Sequence, residues 1–189
     1  MKLVFFGTPE FAIPSLNSLH KSAHDILAVV TSPDNTFGRG KKNTFSPVKK
    51  AALEFKYPIY QPRNLNNINY LSLLNKLKAD IFVVVAFRIL PQEVISIPHE
   101  GVVNIHASIL PKYRGAAPIH HAILNNESET GVTSFIIQNK VDTGDILLQE
   151  RYELTDNITT GEVYNNLAEI GANIIVTTLN EIEKKQIIP

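Results

Sequence analysis

The sequence predicts an α/β protein with a Rossmann-like, open and mostly parallel sheet, helices on both faces and a mixed edge. Two observations lead to this fold class. Apolar runs of strand length alternate along the chain with stretches of helical periodicity, which predicts right-handed βαβ crossovers. Near the end of the chain, two strand-like segments follow each other with no helix between them, which predicts the mixed edge.

The first strand and helix are predicted at the N-terminal end. Residues 3–7 form a continuous apolar run that ends in glycine, as buried parallel strands commonly do. Thr8 offers a hydroxyl for a helix N-cap, and Pro9 suits the first helical position. We therefore expect a helix from there to about His20.

The next elements surround a polar segment. Residues 26–32 predict a second strand, and residues 33–46 a polar loop with proline, glycine and basic residues. A helix is predicted over 46–57, because Ser46 can cap it and a proline follows directly. Leucines at helical spacing predict a further helix over 66–78.

The middle of the chain predicts the centre of the sheet. Residues 80–87 are apolar on both faces and therefore predict a central strand. A short helical turn over 91–98 precedes another strand over 101–108. Residues 115–126 predict a helix.

The last part of the chain predicts the mixed edge and a long helix. Residues 131–138 and 145–154 alternate between apolar and polar side chains around the sequence VDTG, which predicts a hairpin or adjacent strands. A helix is predicted over 159–183, starting near Thr160 with Glu162 close behind.

Length and composition restrict the class of protein. The 189 residues, of which 44% are hydrophobic, are sufficient for one domain with its own core. The 18 basic and 18 acidic residues balance, so net charge indicates no nucleic-acid or membrane partner. The chain has no cysteine, which excludes disulfides and thiol nucleophiles, and no apolar segment approaches the ~20 residues of a membrane span. We expect a soluble, cytoplasmic protein with no membrane partner.

Polar side chains at predicted strand ends suggest a reaction site. Ligands of open α/β sheets bind at the carboxyl ends of the strands. Asn104 and His106 lie at one such end, and Asp142 lies in the later turn. An imidazole can accept a proton, a carboxylate can stabilise the imidazolium, and an amide can donate to an oxyanion. These three residues are therefore a candidate acyl-transfer set.

Two other interpretations of these residues stay open. A polar pair on a strand can be a buried hydrogen-bonded network without catalytic function. The DTG sequence at Asp142 also occurs in aspartic proteases, although it appears once here and the chain is not all-β.

The remaining histidines predict no metal site. His120 and His121 are adjacent, so on a helix they point about 100° apart and are poorly placed to share a metal. His20, His24 and His99 have no partner pattern, and we expect them on the surface.

Two cationic segments could contact a nucleic acid. Residues 37–45 combine basic side chains with glycines and aromatics, a composition that suits phosphates and stacked bases, although for three charges alone a solvated turn is the more common explanation. A second cationic position follows the strand with the polar pair. The basic residues of these segments are Arg39, Lys41, Lys42, Lys112 and Arg114.

The sequences FFGTPEF, GRGKK, SPVKKAA, NIHASILPKYRGAAPI and VDTGDIL occur in that order along the chain. With them the chain resembles the folate-dependent formyltransferases, over essentially all of residues 1–189. Within this family it is similar to the catalytic domain of the branch that acts on methionyl-tRNA. The resemblance implies 10-formyltetrahydrofolate as the formyl donor, the α-amino group of methionyl-initiator tRNA as the acceptor, and no metal.

The resemblance also implies roles for individual residues. The family's catalytic asparagine, histidine and aspartate correspond to Asn104, His106 and Asp142. The folate pocket corresponds to Phe87, Arg88, Ile89, Leu90, Pro91, Val141 and Asp145. The family's inserted loop, which reaches the acceptor end of the tRNA, corresponds to residues 34–45 and contains Arg39, Lys41 and Lys42. Lys112 and Arg114 form the second cationic position, near the proposed site.

Two departures from the family pattern affect these expectations. The family often has Ala-Tyr-Gly where this chain has Ala86-Phe87-Arg88, which bears on the folate pocket. We expect the family's C-terminal tRNA-binding domain to be absent from these 189 residues. We expect a monomer; formyl transfer to a small amine, such as an amino sugar nucleotide or glycinamide ribonucleotide, and a non-catalytic folate- or RNA-binding module are the alternatives.

Overall fold

A computed structural model of the protein describes residues 1–37, 42–138 and 140–187. Its strands are β1 (Lys2–Gly7), β2 (Asp25–Val30), β3 (Asn35–Phe37), β4 (Lys42–Thr44), β5 (Ile59–Tyr60), β6 (Ile81–Val85), β7 (Val102–His106), β8 (Glu129–Ile136) and β9 (Ile146–Glu153). Its α-helices are α1 (Ile13–Lys21), α2 (Pro47–Glu54), α3 (Ile68–Leu77), α4 (Gln92–Ile95), α5 (Pro118–Leu124) and α6 (Thr160–Glu183).

The main sheet has seven strands in the order β5-β2-β1-β6-β7-β8-β9. The first five strands of this order are parallel to one another. Strand β8 runs antiparallel to β7, and β9 runs antiparallel to β8. The predicted fold class, with its mixed edge, is confirmed.

Two hydrophobic cores lie on opposite faces of the sheet. Leu16 of α1 and Ile175 of α6 belong to the core on one face. Leu74 of α3 and Val94 of α4 belong to the core on the other face. Strand β6 contributes to both and is buried along its whole length, which confirms its predicted central position.

The structure differs from the predicted elements in three places. The first helix begins with a 3-10 turn (Glu10–Ala12) that has no side-chain cap, because its N-cap residue is Pro9; the hydroxyl of Thr8 lies 3.0 Å from that of Ser32. The segment predicted as a polar loop contains the antiparallel pair β3 and β4. The two-residue strand β5 at the sheet edge was also not predicted.

No helix within residues 1–37, 42–138 and 140–187 combines the length and hydropathy needed to cross a membrane.

His24 lies in the interior, so the prediction of a surface position is wrong. The residue is 6% exposed, and the amine of Met1 lies 3.3 Å from its Nδ1. Burial lowers the pKa of His24, and the positive charge of the Met1 amine lowers it further. Both effects favour the neutral imidazole in the native state.

The free energy of unfolding should consequently depend on pH through His24. The pKa of His24 is lowered from 6.5 in the folded state, so below pH 6.5 the unfolded chain binds more protons at this residue. The contribution of His24 to the free energy of unfolding should be fully present above that pH. It should fall by up to about 1.4 kcal/mol per pH unit as the pH drops towards the pKa of His24 in the folded state. Urea unfolding of His24→Asn should lack this component, whereas His99→Asn, which removes an exposed imidazole, should retain it. Equal pH dependence in His24→Asn and the unaltered chain would contradict the assignment.

Candidate functional site

The polar pair lies on β7, where side chains alternate between the two faces of the sheet. Asn104 is paired with Val84 of β6 on one side and with Phe135 of β8 on the other. Ile105 packs into the core beside α6. Asn104 and His106 consequently share the opposite face, and both line one cavity.

Two contacts surround the His106 ring, which is 7% exposed. Its Nε2 lies 2.8 Å from the carbonyl oxygen of Tyr113, and its Nδ1 lies 3.5 Å from Oδ2 of Asp142. A carbonyl oxygen only accepts hydrogen bonds, so Nε2 carries the proton of the neutral ring. Nδ1 is therefore the nitrogen that can take up a proton, and the Asp142 carboxylate would stabilise the resulting imidazolium.

Asp142 is held in the turn between β8 and β9. The backbone N–H of Gly115 donates to its Oδ2 at 2.7 Å, and its own φ of 50° lies in the left-handed region. Gly144 in the same turn packs so closely that a Cβ atom there would overlap the carbonyl oxygen of Ile136. Only glycine fits at this position, which fixes how the turn approaches β8.

The Asn104 amide is available to a ligand. Asn104 is partly buried, and its side chain makes no hydrogen bond to any residue in the described part of the chain. A polar side chain in a cavity wall that has no protein partner can bind a ligand without first breaking an internal hydrogen bond.

The cavity has a volume of about 700 Å³. One wall is mainly apolar and comes from β6, the segment after it and the end of β8. The opposite wall comes from the first turn of the chain, from α6 and from the loop before α5. The lining residues include Val84, Leu90, Ile95 and Ile137 on the apolar side, and Phe11 and Tyr164 on the other.

This arrangement suits transfer of an acyl-type group to an amine. Nδ1 of His106 can accept a proton from an attacking nitrogen, and the Asn104 amide can donate to an oxygen on which negative charge develops. Within the described residues, no group of three or more His, Cys, Asp or Glu side chains could hold a metal ion.

Five of the seven residues predicted to contact folate lie in the cavity wall: Phe87, Arg88, Ile89, Leu90 and Val141. Pro91 precedes α4 and Asp145 pairs with Gln138 at 3.1 Å, and neither lines the cavity. The Arg88 guanidinium donates to the carbonyl oxygens of Pro62, at 2.7 Å, and Arg63, at 3.2 Å. Arg88 thus links the segment after β6 to the loop after β5.

The predicted tRNA contacts are only partly described. Arg39 and Lys41 lie outside the described residues, and Lys42 is described by its backbone in β4 alone. Lys112 forms an ion pair with Glu127 at 3.1 Å, and the hydrogen bond to that carboxylate raises the pKa of Lys112. Arg114 is exposed in the loop that precedes α5.

The sequence did not predict the two backbone groups that hold His106 and Asp142 in place. The Tyr113 carbonyl orients the neutral His106 ring, and the Gly115 N–H holds Asp142. The basic-aromatic-basic triplet at 112–114 marks this loop in the sequence, but it gives no indication of a backbone contact to His106.

Comparison with known proteins gives one family. The family model described as formyl transferase matches residues 1–179. Curated proteins named methionyl-tRNA formyltransferase from Pelotomaculum thermopropionicum and Moorella thermoacetica are 48% and 49% identical over 95% and 96% of this chain. The chain spans 58% and 59% of the length of these two relatives.

Solved structures share the fold. A phosphoribosylglycinamide formyltransferase from Bacillus halodurans has a TM-score of 0.83 at 18% identity, covering 99% of this chain and 97% of its own. A sugar 3N-formyl transferase, determined in the presence of dTDP and 5-N-formyl-THF, has a TM-score of 0.73 at 26% identity, covering 98% of this chain and 64% of its own.

Gly144→Ala should destabilise the chain, because the added Cβ would collide with the carbonyl of Ile136 and force the Asp142 turn away from β8. We expect the free energy of unfolding in urea to fall by about 1–3 kcal/mol. Gly161→Ala is the matched control, since a Cβ in this first turn of α6 meets no atom within 4 Å. That variant should match or slightly exceed the unaltered chain. Equal stability of the two variants would show that the close packing at Gly144 is unimportant.

Proposed function

The chain belongs to the formyl transferase family, and from this membership we propose that it transfers a formyl group from 10-formyltetrahydrofolate to the α-amino group of methionyl-initiator tRNA, for translation initiation. The observation that carries the proposal is that Asn104, His106 and Asp142 lie around one cavity at the carboxyl ends of the strands. The names of the curated relatives support methionyl-tRNA as the acceptor.

The cavity fits a folate. Its volume of about 700 Å³ is in the range of small-molecule sites, and one wall is mainly apolar, as a flat heteroaromatic ring requires. Phe87, Arg88, Ile89, Leu90, Pro91, Val141 and Asp145 are the residues we propose for folate binding. Of these, Pro91 and Asp145 would act by supporting the wall.

Asn104, His106 and Asp142 would each have a separate role in the reaction. The bound folate supplies the formyl carbon and the departing nitrogen. Asn104 would donate a hydrogen bond to the formyl oxygen as negative charge develops there. Nδ1 of His106 would take a proton from the attacking amine and give it to the departing nitrogen, while Asp142 stabilises the imidazolium in between.

Contact with tRNA is proposed for the basic residues. Arg39 and Lys41 lie between β3 and β4 in the sequence, and Lys42 is the first residue of β4; basic side chains of this kind suit a phosphate backbone. Arg114, which is exposed, and Lys112 lie on the loop beside the cavity. The proposed enzyme would be a monomer in the cytoplasm.

Formyl transfer to an amino sugar nucleotide is a second candidate. It is favoured by the 26% identity to the sugar 3N-formyl transferase. The chemistry at Asn104 and His106 would be unchanged, but Arg39, Lys41 and Lys42 would be dispensable.

Replacement of the catalytic side chains should abolish most of the single-turnover formyl transfer to methionyl-initiator tRNA. We expect His106→Ala to lose about 10²–10⁴ in rate, because no other group would carry the proton. Asn104→Ala should lose about 10²–10³, the effect of one oxyanion donor. His99→Ala, which removes an exposed imidazole, is the control. Full activity of His106→Ala would exclude the proposed proton transfer.

The double variant Lys41→Ala/Lys42→Ala should weaken tRNA binding without changing the chemical step. We expect a higher KM for tRNA, a similar kcat, and a smaller dependence of KM on salt, because fewer phosphate counterions are released. Lys21→Ala/Lys76→Ala, two exposed helical lysines, is the charge-matched control. An unchanged KM for tRNA, with turnover of an amino sugar nucleotide, would favour the second candidate.

A further inference from the structure

The loop over 107–117 supplies both backbone groups that hold the proton-transfer pair. The carbonyl of Tyr113 accepts from Nε2 of His106 at 2.8 Å. The N–H of Gly115 donates to Asp142 at 2.7 Å. Because these two groups are close neighbours in the chain, a displacement of the loop at Tyr113 would alter both contacts.

The Tyr113 side chain is itself held by Glu127, shortly after α5. Its hydroxyl donates to Oε1 of Glu127 at 2.6 Å and accepts from Nδ2 of Asn125 at 3.0 Å. Lys112 donates to both oxygens of the same carboxylate, at 3.1 Å and 3.3 Å. The ring lies nearly parallel to that of His121, with 4° between the planes and 6.2 Å between the centroids.

The backbone at Tyr113 requires such support. Its φ of 57° lies in the left-handed region, which is unfavourable for a residue with a Cβ atom. The backbone N–H of Glu127 donates to the carbonyl of Ala122 at 3.1 Å, so the carboxylate is anchored to α5. The hydrogen bond from Tyr113 and that from Lys112 lower the pKa of Glu127, which keeps the carboxylate ionised.

The position of the Tyr113 carbonyl decides which His106 nitrogen is protonated. With the carbonyl in place, Nε2 carries the proton and Nδ1 is free to accept one. Without it, the carboxylate of Asp142, 3.5 Å from Nδ1, would attract the proton to Nδ1 instead. The ring would then have no free acceptor next to the reacting amine.

We infer that Glu127 is a positioning residue that acts through Tyr113 to keep His106 in the Nε2–H tautomer. The inference rests on the proposed function, because it deepens the part played by His106 in proton transfer. It gives the Lys112–Glu127 ion pair a role within the enzyme that is separate from tRNA contact.

The test compares Glu127→Gln and Tyr113→Phe with the unaltered 189-residue chain. Tyr113→Phe removes only the hydroxyl and retains the ring beside His121, so the fold should persist. Glu129→Gln is the matched control, because it makes the same charge change at a carboxylate whose partner is Arg151. The tautomer of His106 is read from its ring ¹⁵N shifts in the ligand-free protein, at a pH where the imidazole is neutral, with His106→Gln to assign the signal.

We expect the Nε2–H tautomer in the unaltered chain and in Glu129→Gln, and a shift towards Nδ1–H in the other two variants. Single-turnover formyl transfer should fall about tenfold in those two variants, the effect of losing one hydrogen bond to a charged group. Retention of the Nε2–H tautomer in either variant would overturn the inference, whatever happens to the rate. Since the tautomer is measured without substrate, the result stands apart from the identity of the acceptor.

Discussion

The pairing of β7 with its two neighbours fixes the geometry on which the rest of the site depends. A parallel strand on one side and an antiparallel strand on the other hold its backbone along its length. Side-chain alternation then directs Ile105 into the core beside α6 and places Asn104 and His106 on the opposite face, where both line the cavity. Polar side chains are tolerated at positions 104 and 106 because β7 ends there, at the edge of the sheet that borders the cavity.

The antiparallel return from β8 to β9 brings the third polar residue to the same place. The close approach of Gly144 to Ile136 sets the turn, and the turn places Asp142 against Nδ1 of His106. Two acceptors, the Asp142 carboxylate and the Tyr113 carbonyl, thus lie at opposite nitrogens of one ring. In the proposed reaction, the balance between these two contacts would determine whether Nδ1 of His106 can accept a proton, so the loop at 107–117 would be as important as the proposed catalytic side chains.

The sequence was sufficient to predict most strands of the main sheet and the polar residues of the site, because both depend on local patterns. Apolar runs bounded by turn residues identify buried strands, and residues two apart on a strand must share a face. The structure brings Asn104, His106 and Asp142 to one cavity, as their positions at strand ends and in the following turn predict. Strand β5 was not predicted, because a strand of two residues is too short to show a periodic pattern.

Other features depend on contacts between distant parts of the chain. His24 is buried beside the Met1 amine and near Glu183 at the end of α6, and nothing in its local sequence indicates this. The role of Tyr113 rests on a backbone carbonyl, which every residue possesses, so residue identity could not reveal it. Nothing in the sequence distinguishes Glu127 from a surface carboxylate, and only the fold brings it into contact with the Tyr113 hydroxyl.

The most direct test of the account is a crystal structure of the chain with a folate that carries a stable formyl group at N10. We predict that the folate ring lies against the wall formed by Phe87–Leu90, with the formyl oxygen hydrogen-bonded to the Asn104 amide and the formyl carbon beside Nδ1 of His106. A folate bound outside this cavity, or with its formyl group directed away from both side chains, would contradict the account.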